Sequence, residues 1–491
     1  MGRYLYGASV QGIQDFIFKT NGLKEIVGAS EIVEEISTTF SKEFEKNSQV
    51  IQKAAGNIKI VFDNKEDVEE IVKNFPKKVM QYAYGITISQ AVVSFEELLS
   101  KAELDALEEK LKVSRNKQQI PIDPNINIIK LSPTTGRSTY TKDGDDFIDF
   151  ATYTKKKITP TRLTKKITDD KTKEFPKEFP KELSKISNSK NKIAIIHADG
   201  NGLGKLLQNL AIKLEKKQER LGDVFSNFST SLHDATTQAA KLAYEKTDSP
   251  EKFRPIILGG DDLSVICSAD IALDFTGYFL EYFEQKTKEK LKWLIEDFSL
   301  HEFENGLTAC AGIAYCNEKY PFHYGIHLAE ELCSFAKKES KKINDALAPS
   351  SLIFHNVQNS FFTTYRDFVK NELTIDDDIS LQFGPYFVDK KHGASIEDIS
   401  NFVKCLETEN APKSRLRSWL SELHFDITYA ESILKRINQV IDANAKTATD
   451  NALKRLHQDL SLEKLFIDKY GKQTTPIHDA VTLASIMGEK Q

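Results

Sequence analysis

The sequence predicts an α+β protein that combines two tandem ferredoxin-like domains with a linker insertion and a C-terminal helical domain. Two separate parts of the chain show the same alternation of strand and helix patterns. A lysine- and proline-containing stretch lies between them, and only helical spacing follows residue 375. The 491 residues allow three or four domains of about 100–200 residues each. The predicted boundaries are 1–95, 96–190, 191–355 and 356–491.

The composition restricts the functional class. Hydrophobic residues make up 40% of the chain, which is enough for several buried cores, and 67 basic against 72 acidic residues give a net charge of −5. This balance excludes a generally basic nucleic-acid binder. The chain has no N-terminal signal pattern and no run of 18 apolar residues, so we expect a soluble, cytoplasmic protein without a membrane partner. The five cysteines lack zinc spacing, which indicates reduced core residues.

Apolar runs in the first 95 residues predict strands at 4–10, 57–62 and 85–93, and helical spacing predicts helices at 11–18 and 26–40. The next segment predicts a helix at 96–111 and a loop at 121–137. Residues 151–192 are interpreted as a linker or exposed insertion, because prolines in the 173–180 repeat exclude a long helix. The basic residues of this segment either contact RNA phosphates or belong to a solvated linker. This basic run comprises Lys155, Lys156, Lys157, Arg162, Lys165 and Lys166.

A second ordered region begins at residue 192. A continuous apolar run predicts a buried strand at 193–198, followed by a tight loop at 199–204. Two short strands at 255–258 and 263–267 flank Gly259-Gly260-Asp261-Asp262, which predicts a hairpin. The other predicted elements are helices at 205–214, 228–244, 271–298 and 325–343, strands at 307–315 and 351–354, and C-terminal helices at 396–406, 414–423, 428–441 and 447–460.

The two ferredoxin-like regions are interpreted as copies of each other that differ in charge. The second copy keeps carboxylates at one strand end and on the hairpin, and the first copy has none at the aligned positions. The alignment sets Asp199 against Gly7 or Ala8, and Asp261 and Asp262 against Gly56 and Asn57 of the segment 54–57.

The retained carboxylates indicate a metal site. Asp199 follows a buried strand, and Asp261 and Asp262 lie on the hairpin that neighbours this strand in a ferredoxin-like sheet. Carboxylates this close repel each other unless a cation is bound, and hard oxygen ligands favour Mg²⁺ or Mn²⁺. Two such ions can hold the attacking and leaving oxygens of phosphoryl or nucleotidyl transfer.

The glycines around these carboxylates are typical of a phosphate site. Gly200, Gly202 and Gly204 lead into a helix N-terminus, which favours a triphosphate. Gly259 and Gly260 leave room for a nucleotide over the hairpin. Lys337 or Lys338 could neutralise phosphate charge.

Three other interpretations fit these motifs less well. A dinucleotide fingerprint needs glycine where Lys205 stands, and a P-loop needs glycine at Asp199 and Ser or Thr at Leu206. A bare turn would explain Gly259-Gly260-Asp261-Asp262 alone, but not its combination with Asp199-Gly200 after an apolar strand.

Taken together, these motifs resemble the large, polymerase-like subunit of type III CRISPR effector complexes (the Cas ten or Cmr-two family), in a short form. The resemblance covers most of the chain outside 96–190. The first palm domain is matched by 12–18 and 26–30, the second by 197–204, 258–262, 311–314 and 328–338, and the C-terminal helical part by Pro385-Tyr386 and 414–417.

The resemblance implies a palm domain that joins ATP molecules into a cyclic oligoadenylate, a second messenger in antiviral defence. It implies ATP as substrate, other CRISPR effector subunits and guide or target RNA as partners, and a degenerate first palm that supports the second and could hold one ATP. It assigns catalysis and Mg²⁺ or Mn²⁺ binding to Asp199, Asp261 and Asp262. It assigns nucleotide contacts to Gly200, Asn201, Gly202, Leu203, Gly204, Lys205, Gly259, Gly260 and Lys337.

The chain departs from the family pattern in three ways. The first palm begins at once, so an HD nuclease domain is expected to be absent, and the pairs His233-Asp234 and His478-Asp479 are interpreted as incidental. Residues 133–137 resemble the context of a zinc knuckle, but 96–190 contains no cysteine, so no zinc is expected. Asn201 stands where the family often has Asp, which could alter the metal site or the choice of substrate.

Three alternatives stay open. ATP could be joined to another small molecule such as S-adenosylmethionine. The chain could be a non-catalytic scaffold of an RNA complex, which would explain the duplicated fold but not three acids kept in one copy. A GGDEF-like cyclase that uses GTP fits less well, because Asp262-Leu263 lacks the acidic-Phe pair of that family. His197 and Cys267 flank the site and are interpreted as packing residues.

Overall fold

The computed structural model describes residues 2–20, 22–46, 48–54, 56–96, 99–117, 128–159, 162–168, 179–214, 221–247, 250–358, 364–469 and 471–488. Ala55 of the predicted hairpin, residues 121–127 of the predicted loop and residues 173–178 of the proline repeat lie outside these ranges. Within these ranges, every helix is too short or too polar to cross a membrane.

The first domain is a four-stranded antiparallel sheet with the strand order β2-β3-β1-β4. Strand β1 lies inside the sheet, and its residues Leu5 and Tyr6 are fully buried. The elements are β1 (Arg3–Gln11), α1 (Ile13–Phe18), α2 (Leu23–Glu35), β2 (Ser48–Ala54), β3 (Asn57–Phe62), α3 (Lys65–Tyr82) and β4 (Thr87–Phe95). Strand β2 and helix α3 have no counterpart among the predicted elements.

The domain that begins at Lys192 is a six-stranded sheet with the order β13-β11-β10-β7-β9-β8. The predicted helix 271–298 is two helices, because the backbone leaves the helical conformation at Leu291, with φ −99° and ψ 4°. The elements are β7 (Lys192–Gly200), α7 (Leu203–Leu214), α8 (Leu221–Lys246), β8 (Phe253–Gly259), β9 (Asp262–Ser268), α9 (Ala269–Lys290), α10 (Lys292–Phe298), β10 (Ala309–Asn317), α11 (Phe322–Lys341) and β11 (Ser351–Asn356). Strand β13 comes from the C-terminal part.

The two sheets share one topology, as the duplication predicts. The order β2-β3-β1-β4 repeats as β8-β9-β7-β10, with antiparallel pairing throughout. The β2–β3 turn closes at Asn57 and the β8–β9 turn closes at Asp262, so these two residues correspond. Strand pairing sets Ser9 opposite Asn57, which makes Ser9 the counterpart of Asp199. The predicted alignment to Gly7 or Ala8 is therefore wrong, because β1 runs to Gln11.

The segment between the domains is folded where the structure describes it. It comprises α4 (Lys101–Arg115), β5 (Thr141–Asp143), β6 (Asp146–Ile148), α5 (Phe150–Lys157) and α6 (Arg162–Ile167). Helix α4 packs on β4 and β1, and α5 packs on α2. The prediction of a solvated linker is thus wrong for α5 and α6.

The basic run neutralises acidic residues of α2. Lys156 lies 3.3 Å from Glu25, Arg162 lies 3.6 Å from Glu35, and Lys166 lies 2.8 Å from Glu34. These cations are already paired within the protein, which disfavours RNA contact through them. Among the basic residues of the run, Lys157 and Lys165 are exposed.

Lys155 is buried beneath this interface, with 3% of its surface exposed. Its ammonium donates a hydrogen bond to the carbonyl oxygen of Phe16 and lies 4.2 Å from the centre of the Phe16 ring. A Cβ at Gly28 of α2 would overlap the carbonyl oxygen of Lys155. Glycine at position 28 therefore allows α5 to approach α2 closely.

The C-terminal part is helical, as predicted, with a small sheet that periodicity does not reveal. Its sheet has the order β12-β15-β14. The elements are α12 (Tyr365–Asn371), β12 (Ile379–Ser380), β13 (Tyr386–Phe387), α13 (Ile396–Leu406), α14 (Lys413–Leu423), α15 (Ile427–Val440), α16 (Ala443–Leu456), β14 (Ile467–Lys469), β15 (Lys472–Thr474) and α17 (Ile477–Ile486).

Replacing Gly28 with alanine is expected to destabilise the chain by about 1–3 kcal/mol, because the added Cβ must push backbone away. Urea unfolding of the full chain measures this change. Gly204→Ala is the matched control, since a Cβ at Gly204 meets no atom within 4 Å. Equal stability of the two variants would show that α5 does not pack as described.

Burial lowers the pKa of Lys155 from 10.5 to about 8. Below pH 8 the Lys155 amine is protonated in both the folded and the unfolded chain, so the full cost of burying its charge is present. Between pH 8 and 10.5 the folded chain releases this proton while the unfolded chain keeps it, so stability should rise with pH. The unfolding free energy of wild type minus that of Lys155→Met should therefore rise by about 3 kcal/mol across this window, at about 1.4 kcal/mol per pKa unit. Urea unfolding at several pH values tests this, with Lys157→Met as the exposed control. A pH-independent difference for Lys155→Met would contradict it.

Candidate active site at the end of β7

Three aspartates from two adjacent strands meet at one end of the second sheet. Asp199 is the penultimate residue of β7, Asp262 opens β9, and Asp261 lies in the turn between β8 and β9. One oxygen from each carboxylate lies within 4.8 Å of the others. The structure thus brings together the three residues predicted as the metal and catalytic site.

The local backbone holds these carboxylates in place. A Cβ at Gly200 would lie 2.9 Å from Asp261 Oδ2, so glycine here makes room for Asp261 rather than for a phosphate. Gly260 has φ +65°, which favours glycine in the turn. The hydroxyl of Thr236 on α8 donates a 2.7 Å hydrogen bond to the carbonyl oxygen of Gly260 and ties the turn to the domain.

Lys337 provides positive charge beside this cluster. Its ammonium, on α11, donates to Asp199 Oδ2 and, at 2.9 Å, to the carbonyl oxygen of Gly200. The side chains of Lys337 and Asp199 are 20% and 36% exposed, so their attraction is only partly screened by water. The other candidate, Lys338, is exposed.

One lysine does not balance three carboxylates. Burial, and then the charge of Asp199, raises the pKa of Asp261 to about 6. Burial and the charges of Asp261 and Asp199 also raise the pKa of Asp262 well above its ordinary value. The cluster therefore favours uptake of a proton or of a cation.

The chemistry of this donor set fits a divalent ion. Each aspartate offers carboxylate oxygen, the ligand type that Mg²⁺ and Mn²⁺ prefer. Among the described residues, this is the one group of three or more His, Cys, Asp or Glu side chains close enough to hold a metal. Asp199, Asp261 and Asp262 would hold that ion.

A cavity of about 380 Å³ lies beside the carboxylates, between the two domains. Gly259, Asp262 and His197 line it from the second domain, and α1 and α2 line it from the first. Burial lowers the pKa of His197 to about 4, and its Nδ1 lies 3.0 Å from the Ser264 hydroxyl. His197 is thus a neutral wall of the cavity, in keeping with a packing role.

Several predicted nucleotide-binding residues are exposed or have open space where a side chain would stand. Lys205 is exposed in the first turn of α7, and Leu203 begins that helix. Added Cβ atoms at Gly204, Gly259 and Gly260 would meet no atom within 4 Å. Gly202 instead has φ +75°, a backbone conformation that favours glycine.

Asn201 differs from its predicted role. Its side chain is turned into the domain, and only 3% of the residue's surface is exposed. The amide nitrogen donates to Thr308 Oγ1 at 3.2 Å and to the carbonyl oxygen of Ala348 at 3.2 Å. Its backbone N–H donates to the carbonyl oxygen of Thr308. Asn201 therefore shapes the loop from inside, and the prediction that it contacts a nucleotide or alters the metal site is not supported by its position.

The insertion and the first domain make contacts at the cavity that the sequence patterns do not predict. Lys166 of α6 donates a 3.1 Å hydrogen bond to the carbonyl oxygen of Leu258, next to the hairpin turn, and it also pairs with Glu34. Gln14 donates to Glu330 across the two domains. The basic run and the 12–18 motif contain these residues, but their partners are distant in sequence.

The corresponding position in the first domain is uncharged. Ser9 donates a 2.8 Å hydrogen bond to Asn57 Oδ1, in place of the pair Asp199 and Asp262. Arg115 at the end of α4 lies 3.3 Å from the Ser9 hydroxyl. It takes the place that Lys337 of α11 has beside Asp199 in the second domain. Among the described residues, no group of three or more potential metal ligands lies at this position.

Comparisons with known proteins confirm the predicted resemblance. Residues 192–348 match the family model of the second palm domain of Cas10/Cmr2. A search of the curated proteins found no match.

Solved structures are similar over nearly the whole chain. A chain of the Csm1-Csm4 cassette in complex with cA4 has a TM-score of 0.56 at 13% identity, covering 98% of this chain and 70% of that chain. A chain of the cassette in complex with AMPPNP has a TM-score of 0.56 at 15% identity, with 99% and 69% covered. Csm1 in T. onnurineus has a TM-score of 0.53 at 16% identity, with 99% and 70% covered. At these low identities, the TM-scores show a shared fold, in which tandem palm domains are followed by a helical domain.

Replacing Lys337 with glutamine should tighten Mn²⁺ binding about three- to tenfold, because a cation no longer competes for Asp199, a change of about 1 kcal/mol. Calorimetry without nucleotide measures the dissociation constant. Lys338→Gln removes the same charge from the neighbouring exposed position and should leave it unchanged. Unchanged or weaker Mn²⁺ binding by Lys337→Gln would contradict the competition.

Proposed function

We propose that this chain is a divalent-metal-dependent nucleotidyltransferase that makes cyclic oligoadenylate from ATP. It acts in antiviral defence as the large subunit of a type III CRISPR RNA-guided complex. The observation that carries the proposal is the meeting of Asp199, Asp261 and Asp262 beside the cavity between the palms, which Asp262 lines.

The residues around the cavity have distinct roles in this proposal. Asp199, Asp261 and Asp262 hold the metal. A divalent ion held by these carboxylates would supply positive charge for the phosphates and for the attacking and leaving oxygens of nucleotidyl transfer. We assign the triphosphate to Lys205 and the backbone N–H groups at the start of α7, an assignment that a helix N-terminus supports. Lys337 moves its charge from Asp199 to phosphate when the metal binds.

The first palm supplies the opposite wall of the cavity. Residues of α1 and α2 face Gly259 and Asp262 across it. Because Ser9 and Asn57 are uncharged, metal chemistry is confined to the second palm. The first palm therefore orients a nucleotide without a metal of its own.

The structurally similar proteins support the choice of substrate and partner. Chains of the same fold have been crystallised as Csm1-Csm4 cassettes in complex with cA3, AMPPNP and pppApA. Another is the Csm1-Csm4 subcomplex in the type III-A CRISPR-Csm interference complex. We therefore assign ATP as the substrate and a Csm4-like subunit with guide and target RNA as the partners.

Radiolabelled ATP with Mg²⁺ or Mn²⁺, with and without RNA and partner subunits, tests the function. Each of Asp199→Asn, Asp261→Asn and Asp262→Asn should lower the rate of product formation at least about 100-fold, because metal-held transition-state charge is lost. Asp274→Asn, an exposed change on α9, is the control and should retain activity.

The products decide between related functions. A cyclic adenylate that disappears in the three site variants supports the proposal. A product formed only when S-adenosylmethionine is added would replace cyclic oligoadenylate with a conjugate. Binding of partner subunits and RNA without turnover in any condition would indicate a scaffold.

A further inference from the structure

A second cavity, of about 270 Å³, is lined by residues of both palms and of the insertion. Four segments meet around it: the start of α2, the end of α5, the chain at Lys181 and the start of β8. Five of its lining side chains are basic: Lys24, Lys156, Lys157, Lys181 and Arg254. The other lining side chains are three aliphatic groups and one threonine, and within the described residues no acidic side chain lines it.

The basic side chains are arranged from the floor to the rim. Arg254 is 4% exposed and forms the floor, where its Nη1 donates a 3.0 Å hydrogen bond to the carbonyl oxygen of Phe179. Lys24, Lys157 and Lys181 are exposed at the rim. Lys156 pairs with Glu25 at 3.3 Å and Asp143 at 2.8 Å, so its charge is partly compensated.

This cavity is separate from the carboxylate site. Arg254 lies near the start of β8, and Gly259 at its end lines the cavity between the palms. Five residues of strand span about 17 Å, at about 3.3 Å per residue. A ligand in the basic cavity would therefore not touch the metal ligands.

We propose that the basic cavity binds phosphate groups. Several positive charges converge on one cavity that no carboxylate of the described residues lines, and guanidinium and ammonium groups are the side chains that hold phosphate. A single threonine is the only neutral polar side chain among the described lining residues, so the site recognises phosphate charge rather than the edge of a base. The phosphates come either from the backbone of single-stranded RNA or from a free polyphosphate compound.

Binding of a fluorescein-labelled ten-residue uridine RNA and of inorganic tripolyphosphate tests this. Fluorescence anisotropy and competition are measured in EDTA at several salt concentrations, so that the carboxylate cluster holds no metal. The variant Lys24→Gln/Lys157→Gln changes two exposed rim residues and avoids the buried arginine. It should weaken RNA binding about tenfold at low salt, and the slope of log Kd against log salt should fall by about 1.4, at about 0.7 per phosphate contact.

Two controls separate this site from general charge and from the proposed activity. Lys73→Gln/Lys77→Gln removes two charges from exposed positions on α3 and should leave binding unchanged. Asp261→Asn/Asp262→Asn disrupts the carboxylate cluster and should still bind RNA. Failure of nucleotidyl transfer and failure of this proposal are therefore distinguishable.

Each outcome bears on the proposal. RNA displaced by tripolyphosphate supports a site open to free polyphosphates, and RNA that tripolyphosphate does not displace supports backbone recognition. Binding of neither probe, or equal weakening in the rim variant and the α3 control, would overturn it.

Discussion

Mutual repulsion of three carboxylates is the constraint on which the second palm depends. Asp199, Asp261 and Asp262 offer oxygens within 4.8 Å of one another, and half-buried carboxyl groups at this separation cannot all remain ionised without a cation. The surrounding residues offset this cost or hold the groups in place. Lys337 donates to Asp199, and Gly200 leaves the space that Asp261 occupies. Such an arrangement is stable in its charged form only when a cation shares the site.

The first palm has the same topology, but uncharged residues replace the carboxylates of Asp199 and Asp262. Its sheet repeats the strand order of the second, and α4 packs on its sheet as α11 packs on the other. Ser9 and Asn57 satisfy each other by a neutral hydrogen bond, and Arg115 reaches Ser9 as Lys337 reaches Asp199. The two palms therefore share the geometry of the site, and the second carries the anions there. Both palms line the cavity between them.

Sequence reasoning succeeded where local pattern decides structure. Strand β7 and the β8–β9 hairpin are set by apolar runs and turn residues, so the positions of Asp199, Asp261 and Asp262 followed from the chain order. It failed where partners are distant in sequence. The charge of Arg162 is matched by Glu35 of α2, and no local signal in a lysine-rich run distinguishes such pairing from solvation. The inward turn of Asn201 likewise depends on the carbonyl oxygen of Ala348, which is remote in the chain.

The insertion consequently belongs to the wall of the cavity between the palms rather than to a linker. Helix α6 reaches both palms, because Lys166 pairs with Glu34 of the first and donates to the carbonyl oxygen of Leu258 in the second. Leu258 directly precedes the glycine pair of the hairpin, so a shift of α6 relative to α2 would be transmitted to the turn that carries Asp261. The buried ammonium of Lys155 and the close approach at Gly28 fix α5 against α2. The spacing of the two palms, and hence the width of the cavity between them, is therefore set in part by a segment whose composition resembles that of a solvated linker.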